Sequence, residues 1–442
     1  MNALYTRSRS ASVFFFGLII FFSLLELAML TFWKGKLGVY YSPVVWLIAG
    51  LGAGFAVFFF VRKDQGGEEL LPQEDPNQYL RIALVLLIFV AGTFYHGLLL
   101  KAIFLKVPVD AGVSDIVPSM QHYVRRWLSG DNVYAPIDYG GWTVVPTYLP
   151  FLWMPYALPE VLGFDYRWMA YGVFLFGLSF YYIPLLRKPA PLAEVLIKAI
   201  FPFALLYFLL TDKTSDLFGM SVELLPVGLY LIMGRTIFHR SWWVVALGVL
   251  LCLLSRWAFT FWLPVYLLAF WMERGFGEAF KVGVVLAAGL LLIFVVPFVI
   301  PNWQTLSEEM KIYPRTAPAR WHTEFWQPEG AKPYHLKQGI SFAIYFYDFV
   351  EGEPEDRLKV NRQVHKYVCL FAAFLLMLGY LYVRGKGGDV KGYFLAGLKM
   401  YLVIFYGFFY VPFLYLYQLP LLLSIPLVMG VKLNWSTGQL VN

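Results

Sequence analysis

Runs of about twenty apolar residues recur along almost the whole chain, and each is long enough to cross a bilayer as a helix. They fall near residues 13–33, 42–61, 80–100, 167–186, 193–210, 220–238, 242–257, 259–272, 281–300, 367–383, 393–410 and 412–430. That makes about twelve spans. In hydrocarbon a backbone must satisfy its own N–H and C=O groups, so continuous apolar runs fold as helices. The expected class is an all-α polytopic membrane protein. Only 14% of the 442 residues are charged, against roughly 25% in soluble domains, which leaves no room for a sizeable soluble domain. The net charge of +7 comes without a Lys/Arg-rich run, so nucleic acid is not an expected partner. Cys252 and Cys369 lie in apolar segments and read as packing residues, with no disulfide framework or metal-ligand spacing.

The basic residues set an expected orientation. Arg7, Arg9, Arg62, Lys63, Arg81, Arg187, Lys188, Arg235, Arg240, Arg274, Lys281, Arg384, Lys386, Lys391 and Lys432 share one side if the N-terminus is cytoplasmic. Both termini are then cytoplasmic, and two long loops, about 101–166 and 301–366, lie outside. Residues 13–33 are too long for a signal-peptide core and read as a retained first helix. The charged Gly/Pro segment 62–79 reads as a cytoplasmic linker. It separates an accessory hairpin, 1–61, from a transmembrane module, 80–442.

The semi-polar stretch from Asp115 to Arg167 holds the densest chemistry. Ile116, Met120, Tyr123 and Trp127 recur at helical spacing, with Ser114 or Asp115 suited to the N-cap and Gly130 to the stop. Asp115 is thus either a simple cap or a carboxylate with work to do. Asp131-Asn132-Val133-Tyr134 follows, then Tyr148-Leu149-Pro150, Pro155 and Pro159. Prolines at this density exclude one regular helix. They predict a ramp, tolerated at membrane depth where it lines a cavity.

This order resembles the first extracytoplasmic loop of the GT-C superfamily, the integral-membrane glycosyltransferases that use polyprenyl-phosphate sugars. The nearest likeness is to the mannosyltransferases that take polyprenyl-phosphate mannose. The matching elements are Asp115, the helix to Gly130, Asp131 to Tyr134, and Tyr148-Leu149-Pro150; the second proline of the family's ramp is displaced here. Asp110 competes for the carboxylate role. The resemblance implies a GT-C-type bundle of about twelve transmembrane helices, with short amphipathic helices in its two outer loops.

Further candidates follow. Asp212, Lys213 and Asp216 lie in a short polar outer turn, and Glu223 follows within the next apolar run. Arg256 interrupts CLLSRWAFTFWLP; an intramembrane Arg usually faces a cavity or a partner, although snorkelling to the interface is the plainer reading. Its planar fork suits phosphate. Glu26 is a second intramembrane charge, in the hairpin. The second loop interleaves Arg315, Arg320, Trp321, His322, Glu324 and Trp326, as sugar and phosphate contacts require, and His322 beside Glu324 suits proton transfer.

The expected function is transfer of a monosaccharide from a polyprenyl-phosphate donor to an extracytoplasmic glycolipid, glycan or protein, by inverting displacement in a plasma membrane. Asp115 is the expected base, with His322 as a second catalytic candidate. Arg256, Lys213, Arg315 and Arg320 would bind the donor phosphate. Asp110, Tyr134, Tyr148, Asp212, Asp216, Trp321 and Trp326 would line the substrate. No metal or other cofactor is required. The expected partners are the donor, the acceptor and membrane lipids. A lipid-linked sugar flippase, a non-catalytic membrane scaffold and an oligosaccharide ligase using a diphosphate-linked donor remain alternatives.

Overall fold

The computed structural model describes residues 2–61, 77–145, 147–303, 307, 317–323, 327–328 and 331–431. Arg315, Glu324 and Trp326 lie outside them, as does the linker up to residue 76. Apart from a hairpin of two-residue strands, Ile137–Asp138 paired with Thr143–Val144, the described chain is helical.

Seven described helices are long and apolar enough to cross a membrane: Val13–Trp33, Lys36–Phe59, Gln78–Lys106, Tyr166–Arg187, Leu192–Thr211, Phe276–Val299 and Pro354–Gly385. Of the other five expected spans, four form shorter or broken elements, and the fifth forms as the 18-residue helix Val390–Gly407. Leu224–Thr236, Trp242–Leu253 and Leu263–Arg274 have 13, 12 and 12 residues. At about 1.5 Å per residue these reach about 18–20 Å, short of the ~30 Å hydrocarbon core. Val390–Gly407 is buried on nearly every face, and residues 414–430 break into Leu414–Tyr417, Gln418–Leu422 and Ser424–Gly430. Apolar run length overstated these spans because Pro412, Pro420 and Pro426 interrupt the last of them, and the chain turns at Leu254 and Ser255 before Arg256.

Small residues let the helices close on one another. A Cβ at Gly228 would stand 2.4 Å from the Val173 carbonyl oxygen, so Leu224–Thr236 lies backbone-to-backbone on Tyr166–Arg187. The N-terminal hairpin packs into the same core: Gly50 abuts Val403 and Gly54 abuts Met400. Glu26 is an ion-pair partner. Its Oε2 meets Lys399 Nζ at 2.6 Å with both side chains fully buried, and Lys399 also donates to the Pro420 carbonyl at 2.7 Å.

At one end of the bundle the basic residues are tied down: Arg384 binds Glu273 at 2.9 Å, and Arg274 donates to the His239 carbonyl at 3.1 Å. The long loops gather at the other end, where Ala317, Trp321, Leu336, Ala343, Ile344, Leu358 and Val411 form a second small core. Tyr40 fastens the hairpin turn to that core by donating to Asp348 at 2.8 Å.

Candidate functional site

The helix expected after Asp115 forms as Ile116–Ser129 and buries Ile116, Met120 and Tyr123. Gly130 ends it in the left-handed conformation, at φ 76°. Asp115 stands at the N-cap position but makes no side-chain capping hydrogen bond. Ser114 takes that part, accepting from the Ile116 N–H at 3.4 Å and donating to the Met220 carbonyl at 2.8 Å. The Asp115 carboxylate is therefore not consumed as a cap. It is half-buried, and the guanidinium of Arg320 on the second loop lies within electrostatic reach. Burial raises its pKa above the usual carboxylate range, and Arg320 opposes part of that rise.

The Met220 contact also brings Asp115 toward the segment carrying Glu223. Glu223 and Arg256, far apart in sequence, meet in a buried ion pair between Glu223 Oε1 and an Arg256 terminal nitrogen. Arg256 is thus a partnered internal charge, with its side chain 13% exposed, and not one snorkelling into solvent. The pair leaves Glu223 Oε2 and Arg256 Nε without hydrogen-bond partners. Tyr156, Tyr230, Tyr406 and Tyr415 stand close enough to feel its charges. Tyr415 also feels Asp115 and Tyr148, which links the two halves of the site. Beside Glu223 lies a cavity of about 10 Å³, lined in part by Arg167 and Ser221, roughly the space one water needs.

The proline ramp holds this arrangement from outside. It folds as Pro150–Trp153, Met154–Tyr156 and Ala157–Leu162, three short turns in place of one helix. Its Phe151 N–H donates to the Leu254 carbonyl at 2.9 Å, and Trp257 Nε1 donates to the Thr147 carbonyl at 3.2 Å. The ramp is thereby docked on the break that presents Arg256.

Asp115 lies within electrostatic reach of Arg320, and Tyr415 within reach of Asp115, Tyr148, Glu223 and Arg256. Several other expected residues have different work. Tyr134 is buried, with its hydroxyl donating to the Tyr148 carbonyl at 2.9 Å and accepting from Trp153 at 3.3 Å. Trp321 is buried and donates to the Tyr410 carbonyl at 2.9 Å. Both rings are packing residues that shape the loops. Asp110 accepts from the Gly112 N–H at 2.6 Å and Asp212 from the Thr214 hydroxyl at 2.7 Å, so each closes its own turn. Asp216 pairs with Lys106 at 2.7 Å, and Lys213 is exposed. His322 is exposed and meets Glu355 at 3.0 Å, while its expected neighbour Glu324 lies outside the described residues.

Sequence reasoning missed Tyr415, Tyr406, Tyr156 and Tyr139. Tyr139 comes from the small hairpin; its hydroxyl is 3.1 Å from Ser119 Oγ, and its ring stands near Asp115. A signal for Tyr415 was present in VPFLYLYQLP, where two prolines bracket the aromatic run.

No known relative frames this site. The chain matches no family model, no curated protein and no solved structure. Its function has to be argued from the chemistry that its own residues bring together.

Proposed function

We propose that the protein is a membrane glycosyltransferase that moves a monosaccharide from a polyprenyl-phosphate donor to an acceptor hydroxyl on the extracytoplasmic face. Asp115 takes the proton of that hydroxyl as its oxygen attacks the anomeric carbon from the side opposite the phosphate. The anomeric C–O bond breaks, and its electron pair leaves with the polyprenyl phosphate, so the anomeric configuration inverts. Arg256 and Arg320 hold the departing phosphate, stabilising charge where it develops. Glu223 fixes Arg256 in place, and Tyr148 and Tyr415 line the space between base and cations. A monophosphate leaving group held by two guanidiniums needs no metal ion.

The observation that carries this reading is the Asp115 carboxylate. It is released from capping by Ser114, partly desolvated, and set beside Arg320 on the same side as the Glu223–Arg256 pair. A raised pKa makes it a stronger base once ionised. The basic flanks support an orientation with both termini cytoplasmic, which puts the loop end of the bundle outside. A donor that crosses the membrane with its lipid suits a site there.

Purified protein in lipid, given a panel of radiolabelled polyprenyl-phosphate sugars, tests the reaction by release of free polyprenyl phosphate. Turnover with one sugar is expected, and Asp115→Asn should lower it by ~10²–10⁴-fold. Full turnover in Asp115→Asn would remove Asp115 from the mechanism. Movement of the donor between leaflets without its consumption would make the protein a flippase.

A further inference from the structure

The helix Pro354–Gly385 has 32 residues, about 48 Å, which is longer than the ~30 Å hydrocarbon core. Its first part, through Lys366, is charged. Lipid-exposed apolar side chains begin immediately afterwards, at Tyr367, Leu370, Phe371 and Phe374. The boundary between the two parts is where a helix of this length would leave the hydrocarbon core.

Three polar side chains turn inward at that boundary. Asn361 is 0% exposed, and neither its Nδ2 nor its Oδ1 has a partner. One turn on, His365 is buried against Phe405 and Phe409, with Nε2 unpartnered. Arg362 lies over the Tyr410 ring at 4.7 Å, and its buried Nε and one terminal nitrogen make no hydrogen bond. Residues three and four apart share a helix face, so His365 neighbours both Arg362 and Asn361. Among the described residues no carboxylate pairs with Arg362. Buried polar groups in folded proteins are almost always satisfied, so a cluster of them calls for a partner. This one offers a guanidinium edge for bidentate recognition of an oxyanion and an amide donor, with the His365 imidazole, which donates to the Phe405 carbonyl, packed beside them.

We infer that Asn361 and Arg362, walled by His365, form a binding site for the phosphate group of a membrane phospholipid. None of the three belongs to the Asp115–Arg256 cluster, and the inference stands whether or not that cluster transfers sugar. The ligand is a phosphoryl oxyanion because, among the described residues, no carboxylate meets the Arg362 guanidinium. Its source is a lipid because the cluster lies where the helix passes from charged to lipid-facing.

Protein purified in a maltoside detergent tests this. It is titrated with phosphatidylglycerol, with a glycosyl diacylglycerol of the same chains but no phosphate, and with inorganic phosphate. Native mass spectrometry counts retained lipid, and the thermal midpoint reads stabilisation. Phosphatidylglycerol should be retained and raise the midpoint saturably, and the sugar lipid should not. Arg362→Gln should weaken retention at least about tenfold, as expected for losing charge-assisted hydrogen bonds. Asn361→Asp, which keeps the volume but adds a negative charge, should do the same. Unchanged retention in both variants, or equal stabilisation by the sugar lipid, would overturn the site. Saturation by inorganic phosphate with no response to phosphatidylglycerol would overturn the lipid source. Should either variant fail to fold, the three ligands on the unaltered protein still decide between these outcomes.

Discussion

Among the carboxylate–cation pairs buried in the helical core, Glu26–Lys399 and Glu223–Arg256 are built differently. Glu26–Lys399 is sealed: both side chains have no exposure, Lys399 spends a further donor on the Pro420 carbonyl, and Glu26 Oε1 is left without a partner. It joins the N-terminal hairpin to Val390–Gly407. Glu223–Arg256 is left open. Arg256 retains some exposure, each partner keeps an unused polar atom, and tyrosines from three chain segments surround it. A sealed pair fixes a packing arrangement. A pair that keeps some exposure, beside a loop carboxylate and a docked proline ramp, is equipped to meet something else. The difference separates structure from function more sharply than burial alone, since both pairs are buried.

The largest expected effect is at the sealed pair. Lys399→Met strands Glu26 in the core and should cost about 3–5 kcal/mol, read as a loss in unfolding free energy, with transfer per folded molecule unchanged. Replacing both partners, as Glu26→Leu with Lys399→Met, should restore most of that stability. At the open pair the same exercise should split the two readouts. Arg256→Met should lower transfer by ~10²–10³-fold, in the range for removing a donor to developing charge. Adding Glu223→Leu should recover stability without recovering transfer. If the double replacement at Glu223 and Arg256 restores both, the two pairs are alike and the comparison collapses.

The sequence shows these features unequally, for physical reasons. The apolar runs, the amphipathic helix up to Gly130 and the broken ramp were legible because each follows from local rules: hydropathy, 3.6-residue spacing and the missing N–H of proline. Arg256 stood out as a charge in an apolar run. Its partner did not, because the approach of Glu223 to Arg256 depends on tertiary packing. Lys399 and Glu26 were hidden from each other for the same reason. The lengths of the last spans were misjudged because a mean over an apolar window is blind to prolines within it. Tyr134 and Trp321 were assigned to the substrate because aromatic residues in a polar loop suit sugars equally well whether they face a ligand or form the loop's own core.

The smallest effect belongs to pH, and it tests whether Asp115 works with the open pair. Burial holds its pKa above the usual carboxylate range, so the folded protein binds that proton more tightly than the unfolded chain does. The resulting stability is fully present below the unfolded carboxylate pKa and is lost as pH rises through the folded one. Asp115→Asn should therefore be more stable than the native protein at neutral pH, with the advantage vanishing in acid. On the proposed mechanism transfer has the opposite dependence, since a base must be ionised. Its acid limb should lie above the usual carboxylate range and disappear with Asp115. Arg320→Gln removes the nearby charge that favours ionisation, so it should move that limb to still higher pH while leaving the stability of the Glu26–Lys399 region unchanged. A limb that ignores Arg320→Gln would mean that the second loop does not reach Asp115 in the working enzyme, and the open pair would lose the neighbour that distinguishes it from the sealed one.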